Sequence, residues 1–297
     1  MELRELKYFL AVAREENISK AAEYLFITQP SLTRQIQNME TEIGQPLFVR
    51  AGRKMLLTEA GLLLRKRAEE IVELYEKAEH EWLNLSDDVS GEVYIGGGES
   101  YGMTILIDVI NEMRKNYPHI KVNLYSGDMV DVCERLDKGL IDFGLLMQPA
   151  DLTKYENLRL PYVDTWGLLM HKDHPLAQKE FIIPEDLSDV PIVVSRHSLP
   201  KSYLTEWYKN VENINVIGTY NLLHNASYIA ESKIGCVLCL DKLINTTGES
   251  NLTFRPLHPT LEVQLDVVWK KYQVFSKAAQ IFLKYLNVKI TNMKQSG

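Results

Sequence analysis

Residues 17–50 read NISKAAEYLFITQPSLTRQIQNMETEIGQPLFVR, and no other stretch constrains the fold as tightly. Two helix-forming runs are separated by the short break Phe26-Ile27-Thr28. Ser19 is placed to cap the first, KAAEYLF, whose paired alanines allow close helix packing. Thr28 is expected to cap the second, with Pro30 in its first turn, where a missing N–H costs little, and Gly44 as its stop. Leu32, Ile36, Met39 and Ile43 recur as the stripe that such a helix would bury. The other face carries Gln29, Ser31, Thr33, Arg34 and Gln37, short donors and acceptors plus one arginine, a set that fits base edges and nearby phosphates. An earlier helix, Leu3 to Glu15, repeats Leu3, Leu6, Phe9, Leu10 and Ala13 on one face. Two helices around a tight break in a three-helix core describe a helix-turn-helix. LFVRAGRKMLL then reads as a hairpin whose tip carries Arg50, Arg53 and Lys54, a wing able to touch DNA backbone or minor groove.

A net charge of −7 argues against nucleic acid only if the charge is spread evenly. It is not. The first 60 residues hold eight Lys/Arg against eight Asp/Glu, whereas residues 61–90 hold four against eight. The local field, rather than the sum, decides whether DNA is approached. The acidic excess belongs to a long helix that Thr58 is expected to cap and that runs to about Leu85. Leu64, Ala68, Ile71, Tyr75, Ala78, Trp82 and Leu85 alternate in steps of four and three, the heptad spacing of a coiled-coil seam. Nothing in so small a head is expected to cover that seam, so a homodimer follows. A dimer would set two reading helices one DNA turn, or a multiple of it, apart.

The run SKAAEYLFITQPSLTRQIQNMETEIGQPLFVRAGRKMLLTEAG resembles the N-terminal signature of LysR-type transcriptional regulators almost throughout. The alanine pair, the Gln-Pro-Ser start, the Thr-Arg-Gln-Ile segment, Gly-x-x-Leu-Phe-x-Arg and Leu-Thr-x-Ala-Gly all have counterparts there. Met39 stands where the family usually has leucine, a mild core change. The resemblance implies that Gln29, Pro30, Ser31, Thr33 and Arg34 lie at or near the major groove, and that Arg50 and Arg53 belong to the strand and wing near phosphate or minor groove. It further implies a dimer of dimers on double-stranded DNA at an interrupted palindrome, with RNA polymerase as a candidate partner.

After the polar stretch SDDVS a second pattern begins. VYIG, a helix with Met103, Leu106, Val109, Ile110 and Met113 inward, IKVNLYSG, a second helix and LIDFGLLM alternate as a parallel α/β unit. VPIVVS, INVIGTY and IGCVLCL repeat that order with helices between, which suggests two similar lobes rather than one sheet. TWGLLMHKDHPL is read as the start of the second lobe, and LDVVWKKY as a strand returning to the first. Two crossovers make a hinge, as in periplasmic binding proteins, and the LysR effector domain is built that way.

The expected organisation is therefore an all-α winged helix-turn-helix (1–58), a linker and dimerisation helix (59–86), a hinge (87–90) and a two-lobed α/β effector-binding domain (91–297). Lobe I would hold about 91–162 and 266–297, and lobe II about 163–265.

A cleft between such lobes suits a small-molecule effector. Ser100 follows the first strand and opens a helix, a position that commonly contacts effector in the family; its plainer role is capping. Tyr101 and Met103 share that opening. Met147 and Gln148 end the strand LIDFGLLM, and Arg196, His197, Ser198 and Lys201 follow VPIVVS. Glu99 counts against a strongly anionic ligand unless Arg196 pairs with it. The family often has proline where Leu240 stands, so the cleft rim there is expected to differ.

No catalytic arrangement emerges. GGGESYG lacks the dinucleotide fingerprint and the phosphate-loop lysine. Cys236 and Cys239 fall at i and i+3 of a strand and so face opposite sides, against redox or metal use. No cofactor or metal is expected, and no apolar run approaches the ~20 residues of a membrane span. The N-terminus lacks a signal-peptide pattern, and the expectation is a cytoplasmic regulator. Two other readings stay open on the residues alone: a protein-binding or sensing module without specific DNA recognition, and an α/β enzyme with a DNA-binding appendage.

Overall fold

The computed structural model describes residues 1–52, 54–83, 90–196 and 203–296. Arg53, Leu85, His197, Ser198, Lys201 and nearly all of the expected 87–90 hinge lie outside those residues, as does the side chain of Trp82. The chain divides into two compact units, Met1–Leu85 and Ser86–Gly297.

The first unit begins with α1 (Leu3–Glu15), α2 (Ile18–Tyr24) and α3 (Gln29–Ile43). A hairpin follows, β1 (Phe48–Ala51) and β2 (Lys54–Leu57), and then α4 (Glu59–Leu83). Asn17, not Ser19, caps α2: its Oδ1 accepts from the backbone N of Ser19 and Lys20 at 3.0 and 3.1 Å. Two orphan N–H groups of the first turn are thereby satisfied. Thr28 occupies the cap position of α3 without a side-chain bond, and Gly44 ends that helix at φ 76°, a conformation glycine adopts at no steric cost. Leu32, Ile36 and Met39 are buried as the stripe requires, but Ile43 is 39% exposed because it lies in the last turn, beyond the core's edge. The core joins these residues to Phe9, Val12, Ala21, Ala22 and Leu47.

Glu40 fixes the hairpin to α3. Its Oε1 accepts from the backbone N of Leu47 at 2.8 Å and of Phe48 at 3.2 Å. Glu40→Ala should lower the stability of this unit by about 2 kcal/mol, because two half-buried N–H groups lose a charged acceptor. Helical ellipticity followed during thermal unfolding reads the loss, and an unchanged midpoint would deny Glu40 this role.

The linker helix differs from the expected seam. Leu64, Ala68 and Val72 pack into the core of the first unit, against α1 among others, so its first half is covered within the chain. Among the described residues of α4 the apolar side chains left outward are Leu62, Leu63, Ile71 and Leu74, with Tyr75 partly so. Thr58 caps α4 as expected: its Oγ1 accepts from Gly61 N at 3.0 Å.

The second unit is an α/β sheet with helices on both faces. In chain order it contains β3 (Gly91–Gly97), α5 (Met103–Asn116), β4 (Ile120–Ser126), α6 (Met129–Asp137), β5 (Phe143–Met147) and β6 (Tyr155–His171). Next come β7 (Pro191–Ser195), α7 (Tyr203–Trp207), β8 (Asn215–Tyr220), α8 (Leu223–Glu231) and β9 (Cys236–Leu240). β10 (Leu252–Pro256), β11 (Glu262–Lys270) and α9 (Lys277–Ser296) complete it.

Strands β4, β3 and β5 are parallel neighbours, as are β8, β7 and β9. Antiparallel β11 and β6 join the two sets, and β10 pairs with β6. The two lobes therefore share one hydrogen-bonded path of eight strands, with β10 as a ninth beside β6, where the repeated pattern suggests separate sheets. The cause is β6, whose 17 residues pair with β11 at one end and with β9 and β10 at the other. The cores are nonetheless distinct. α5 and α9 cover one face of the first lobe, where Phe143 meets Phe275 and Phe282 at ring separations of 5.0 Å. α6 covers the other face with Val132 and Leu136. The second lobe has its own clusters around Leu168 and Leu169 on opposite faces.

Candidate nucleic-acid interface and effector cavity

The outward face of α3 presents Gln29, Pro30, Ser31, Arg34 and Gln37 as exposed residues, with Thr33 half-buried. Leu32, Ile36 and Met39 anchor the opposite side, so the polar face is held by the core rather than by its own contacts. Gln29 Nε2 donates to Thr33 Oγ1 at 2.8 Å, which fixes the first turn's polar pair. Among the described residues no carboxylate pairs with Arg34 or Arg50, and both are exposed. The wing is less basic than its sequence suggests: Lys54 Nζ lies 2.5 Å from Glu16 Oε2, which neutralises one of its cations.

In the second unit a cavity of about 170 Å³ opens between the two lobes. Met129, Met147, Trp166, Leu204, Leu223 and Leu243 give it an apolar wall, and Ser195 and Asn221 contribute a hydroxyl and an amide. Leu240 also faces it, at the rim where the sequence departs from the family's usual proline.

Of the residues singled out from sequence, Met147 and Gln148 line this cavity, and Ser100, Tyr101 and Met103 do not. Ser100 is buried, and its hydroxyl donates to Asp164 Oδ2 at 2.5 Å while accepting from Gly102 N at 3.0 Å. Its local role is thus to tie the start of α5 to β6. Burial raises the Asp164 carboxyl above the usual carboxylate range, against the lowering effect of Ser100. The adjacent Tyr162 hydroxyl is pushed up to about 12, by burial first and by Asp164 second. The Tyr101 and Tyr162 ring centroids lie 6.0 Å apart, and the Lys242 ammonium sits 5.1 Å from the Tyr101 ring centroid. Met103 packs on the first lobe's core. Gln148 has both ends of its amide engaged: Nε2 donates to Asp266 Oδ2 at 2.6 Å, and Oε1 accepts from Ala150 N at 2.9 Å.

The pairing entertained between Glu99 and Arg196 is not made. Arg196 is ion-paired with Asp128 instead, because Asp128 caps α6 and is held at its N-terminus by Val130 N and Asp131 N. Glu99 accepts from Leu223 N, the first residue of α8. Neither Asp128 nor the Glu99–Leu223 contact was visible in sequence. The cue available for Asp128 was its position just before the apolar run of α6, a capping signature.

Cys236 and Cys239 are free and buried, and they enter different clusters on the two faces of the sheet. Burial pushes the Cys236 thiol up to about 12 and raises Cys239 further, so neither is poised as a thiolate. Among the described residues no group of three or more His, Cys, Asp or Glu is placed to hold a metal ion, and no helix is long and apolar enough to cross a membrane.

Comparison with known proteins agrees with this layout. Residues 3–62 match the family model described as bacterial regulatory helix-turn-helix protein, lysR family, and residues 86–289 match the LysR substrate binding domain. HTH-type transcriptional regulator AlsR of Bacillus subtilis (strain 168) is 35% identical over 209 residues, covering 69% of this chain and 68% of that protein. YybE of the same organism, an uncharacterised HTH-type transcriptional regulator, is 26% identical over 293 residues, 96% of this chain and 98% of its own. The crystal structure of CbnR, a LysR family transcriptional regulator, superposes with a TM-score of 0.78 at 19% identity, over 98% of this chain and 99% of that one. The chain therefore belongs to the LysR family, and it is a sequence-specific DNA-binding transcriptional regulator with an effector-binding domain.

Proposed function

We propose that this regulator reads DNA through Gln29, Ser31, Thr33, Arg34 and Gln37, with Pro30 setting the first turn of α3 and Arg50 and Arg53 contacting backbone beside it. It acts in the cytoplasm as a homodimer, two of which assemble into a homotetramer on an interrupted palindrome, with RNA polymerase as a neighbour when transcription is activated. The helix-turn-helix (1–58), linker helix (59–86), hinge (87–90) and effector domain (91–297) divide these tasks. A small molecule held between the lobes controls the assembly, through a difference in its affinity for two subunit arrangements.

The observation that carries the dimer is the uncovered strip of α4. Leu63, Ile71 and Leu74 are 67%, 46% and 44% exposed although their neighbours Leu64 and Ala68 are packed within the unit. At helical periodicity these three fall on one face, and an uncovered apolar face suits pairing with a second helix. Replacing Ile71 and Leu74 together by glutamate should give a folded monomer in analytical ultracentrifugation. Its affinity for a full palindrome should fall by about 10²–10⁴, to that of one half-site, since linkage supplies that gain. A variant that stays dimeric would place the interface elsewhere. The AlsR and YybE descriptions as HTH-type transcriptional regulators support the DNA-reading role.

A further inference from the structure

Taking the inter-lobe cavity as the effector site, we propose that its effector is a small uncharged molecule with an apolar body and a hydrogen-bonding end, and that anions are refused because the chain supplies its own. Two helix N-termini meet the cavity, those of α6 and α8, and an N-terminus is the usual place for an anionic ligand to be held. Both are filled. Asp128 Oδ1 accepts from the first-turn N–H groups of α6 at 2.9 and 3.1 Å, and the Glu99 carboxylate accepts from Leu223 N on α8. Glu99 reaches across from the first lobe to the second, so the place is taken by a tethered group at high effective concentration.

The cation balance points the same way. Among the described residues lining the cavity there are three carboxylates, Glu99, Asp128 and Glu262, and no Lys, Arg or His. Arg196, beside the cavity-lining Ser195, is spent on Asp128, whose side chain is 2% exposed. A carboxylate ligand entering this space would face these carboxylates with no Lys, Arg or His among the described lining residues to offset them, which disfavours it. A cationic ligand that used Asp128 or Glu99 would have to displace Arg196 or the α8 N-terminus, which leaves it only Glu262, an exposed side chain whose charge water screens. An uncharged molecule disturbs neither pair. Size narrows the class further: an apolar cavity of about 150 Å³ takes up benzene, and this one, at about 170 Å³, suits a single ring or an aliphatic body of that bulk. Ser195 and Asn221 offer the hydrogen bonds for its polar end.

Three probes of one shape separate the charge classes: benzyl alcohol, benzylamine and benzoate, titrated calorimetrically into the full chain at equal ionic strength. Benzyl alcohol should bind at least about tenfold more tightly than either charged probe. Glu99→Ala, which vacates the α8 N-terminus, should raise benzoate affinity by about tenfold and leave benzyl alcohol within about threefold. Glu99→Gln serves if the alanine variant does not fold, since it keeps an oxygen at the helix and removes the charge. Leu204→Trp, which fills the cavity, should abolish benzyl alcohol binding. Tighter benzoate or benzylamine binding that Leu204→Trp abolishes overturns the uncharged class and leaves the cavity as effector site. Benzyl alcohol binding that survives both Leu204→Trp and Met129→Trp overturns the cavity itself. Binding by none of the three probes overturns the proposal.

Discussion

Asp266→Ala is expected to lower the unfolding free energy of the second unit by about 3 kcal/mol, a large share of the roughly 5–15 kcal/mol that holds a domain folded. Asp266 is fully buried on β11, in register with Leu146 of β5 and Arg159 of β6. A carboxylate there is tolerable only because three donors meet it. Gln148 Nε2 reaches Oδ2 at 2.6 Å, while Asn157 Nδ2 and Arg159 Nε reach Oδ1 at 3.0 and 2.8 Å. Alanine leaves the half-buried Gln148 amide without its acceptor, whereas the exposed Asn157 amide turns to water. The loss stays below that of a fully enclosed ion pair, because the Arg159 side chain is 45% exposed and finds water when released. Asp266→Asn keeps one acceptor oxygen and should lose about half as much. Tryptophan fluorescence in urea isolates the effect in a Trp82→Phe background, since the other three tryptophans, Trp166, Trp207 and Trp269, all belong to this unit. A midpoint unchanged by alanine would mean that the three donors are satisfied without Asp266. Gln148 also lines the cavity, so the same variant should weaken whatever the cavity holds.

That network shows where sequence reading stops. The reading head was legible because its signals are local: a proline in a first turn, a glycine after a last one, and an apolar stripe at helical spacing. Even there the cap of α2 falls on Asn17 rather than the expected Ser19, because the Asn17 side chain is the one that meets the free N–H groups. Heptad spacing along α4 identified an apolar strip but not what covers it; α1 and the first unit's core take Leu64 and Ala68. In the second unit the alternation of strands and helices gave the α/β class. The length of β6 was hidden by Pro161, which reads as a strand breaker. Proline is accommodated here because it falls where the β6–β11 register shifts, at a bulge between Gln264 and Asp266. The partners that decide the cavity's chemistry are remote in sequence. Ser100 meets Asp164 across 64 positions, and Glu99 meets Leu223 across 124. No periodicity encodes such pairs, so the sequence offers Ser100 as a ligand contact or a cap but not its bond to Asp164.

The reading helix permits a prediction of similar size in affinity rather than stability. Alanine at both Gln29 and Arg34 should weaken binding to the specific operator by about 2–6 kcal/mol, the sum of two base contacts at roughly 1–3 kcal/mol each. Folding should be unaffected, since both side chains are exposed and the helix is held from its other face by Leu32, Ile36 and Met39. The one internal bond sacrificed is Gln29 to Thr33, on the surface. Binding to unrelated duplex should survive, because phosphate contacts rather than base edges supply it. Arg50→Ala should behave in the opposite way. It should weaken all sequences alike and flatten the dependence of log affinity on log salt by about one. Footprinting with the operator and a scrambled duplex distinguishes the two patterns. If the double variant protects the operator as well as the natural chain does, the outward face of α3 is not the face that reads. If instead Arg50→Ala loses the operator alone, that arginine contacts a base, and the wing rather than α3 carries part of the specificity.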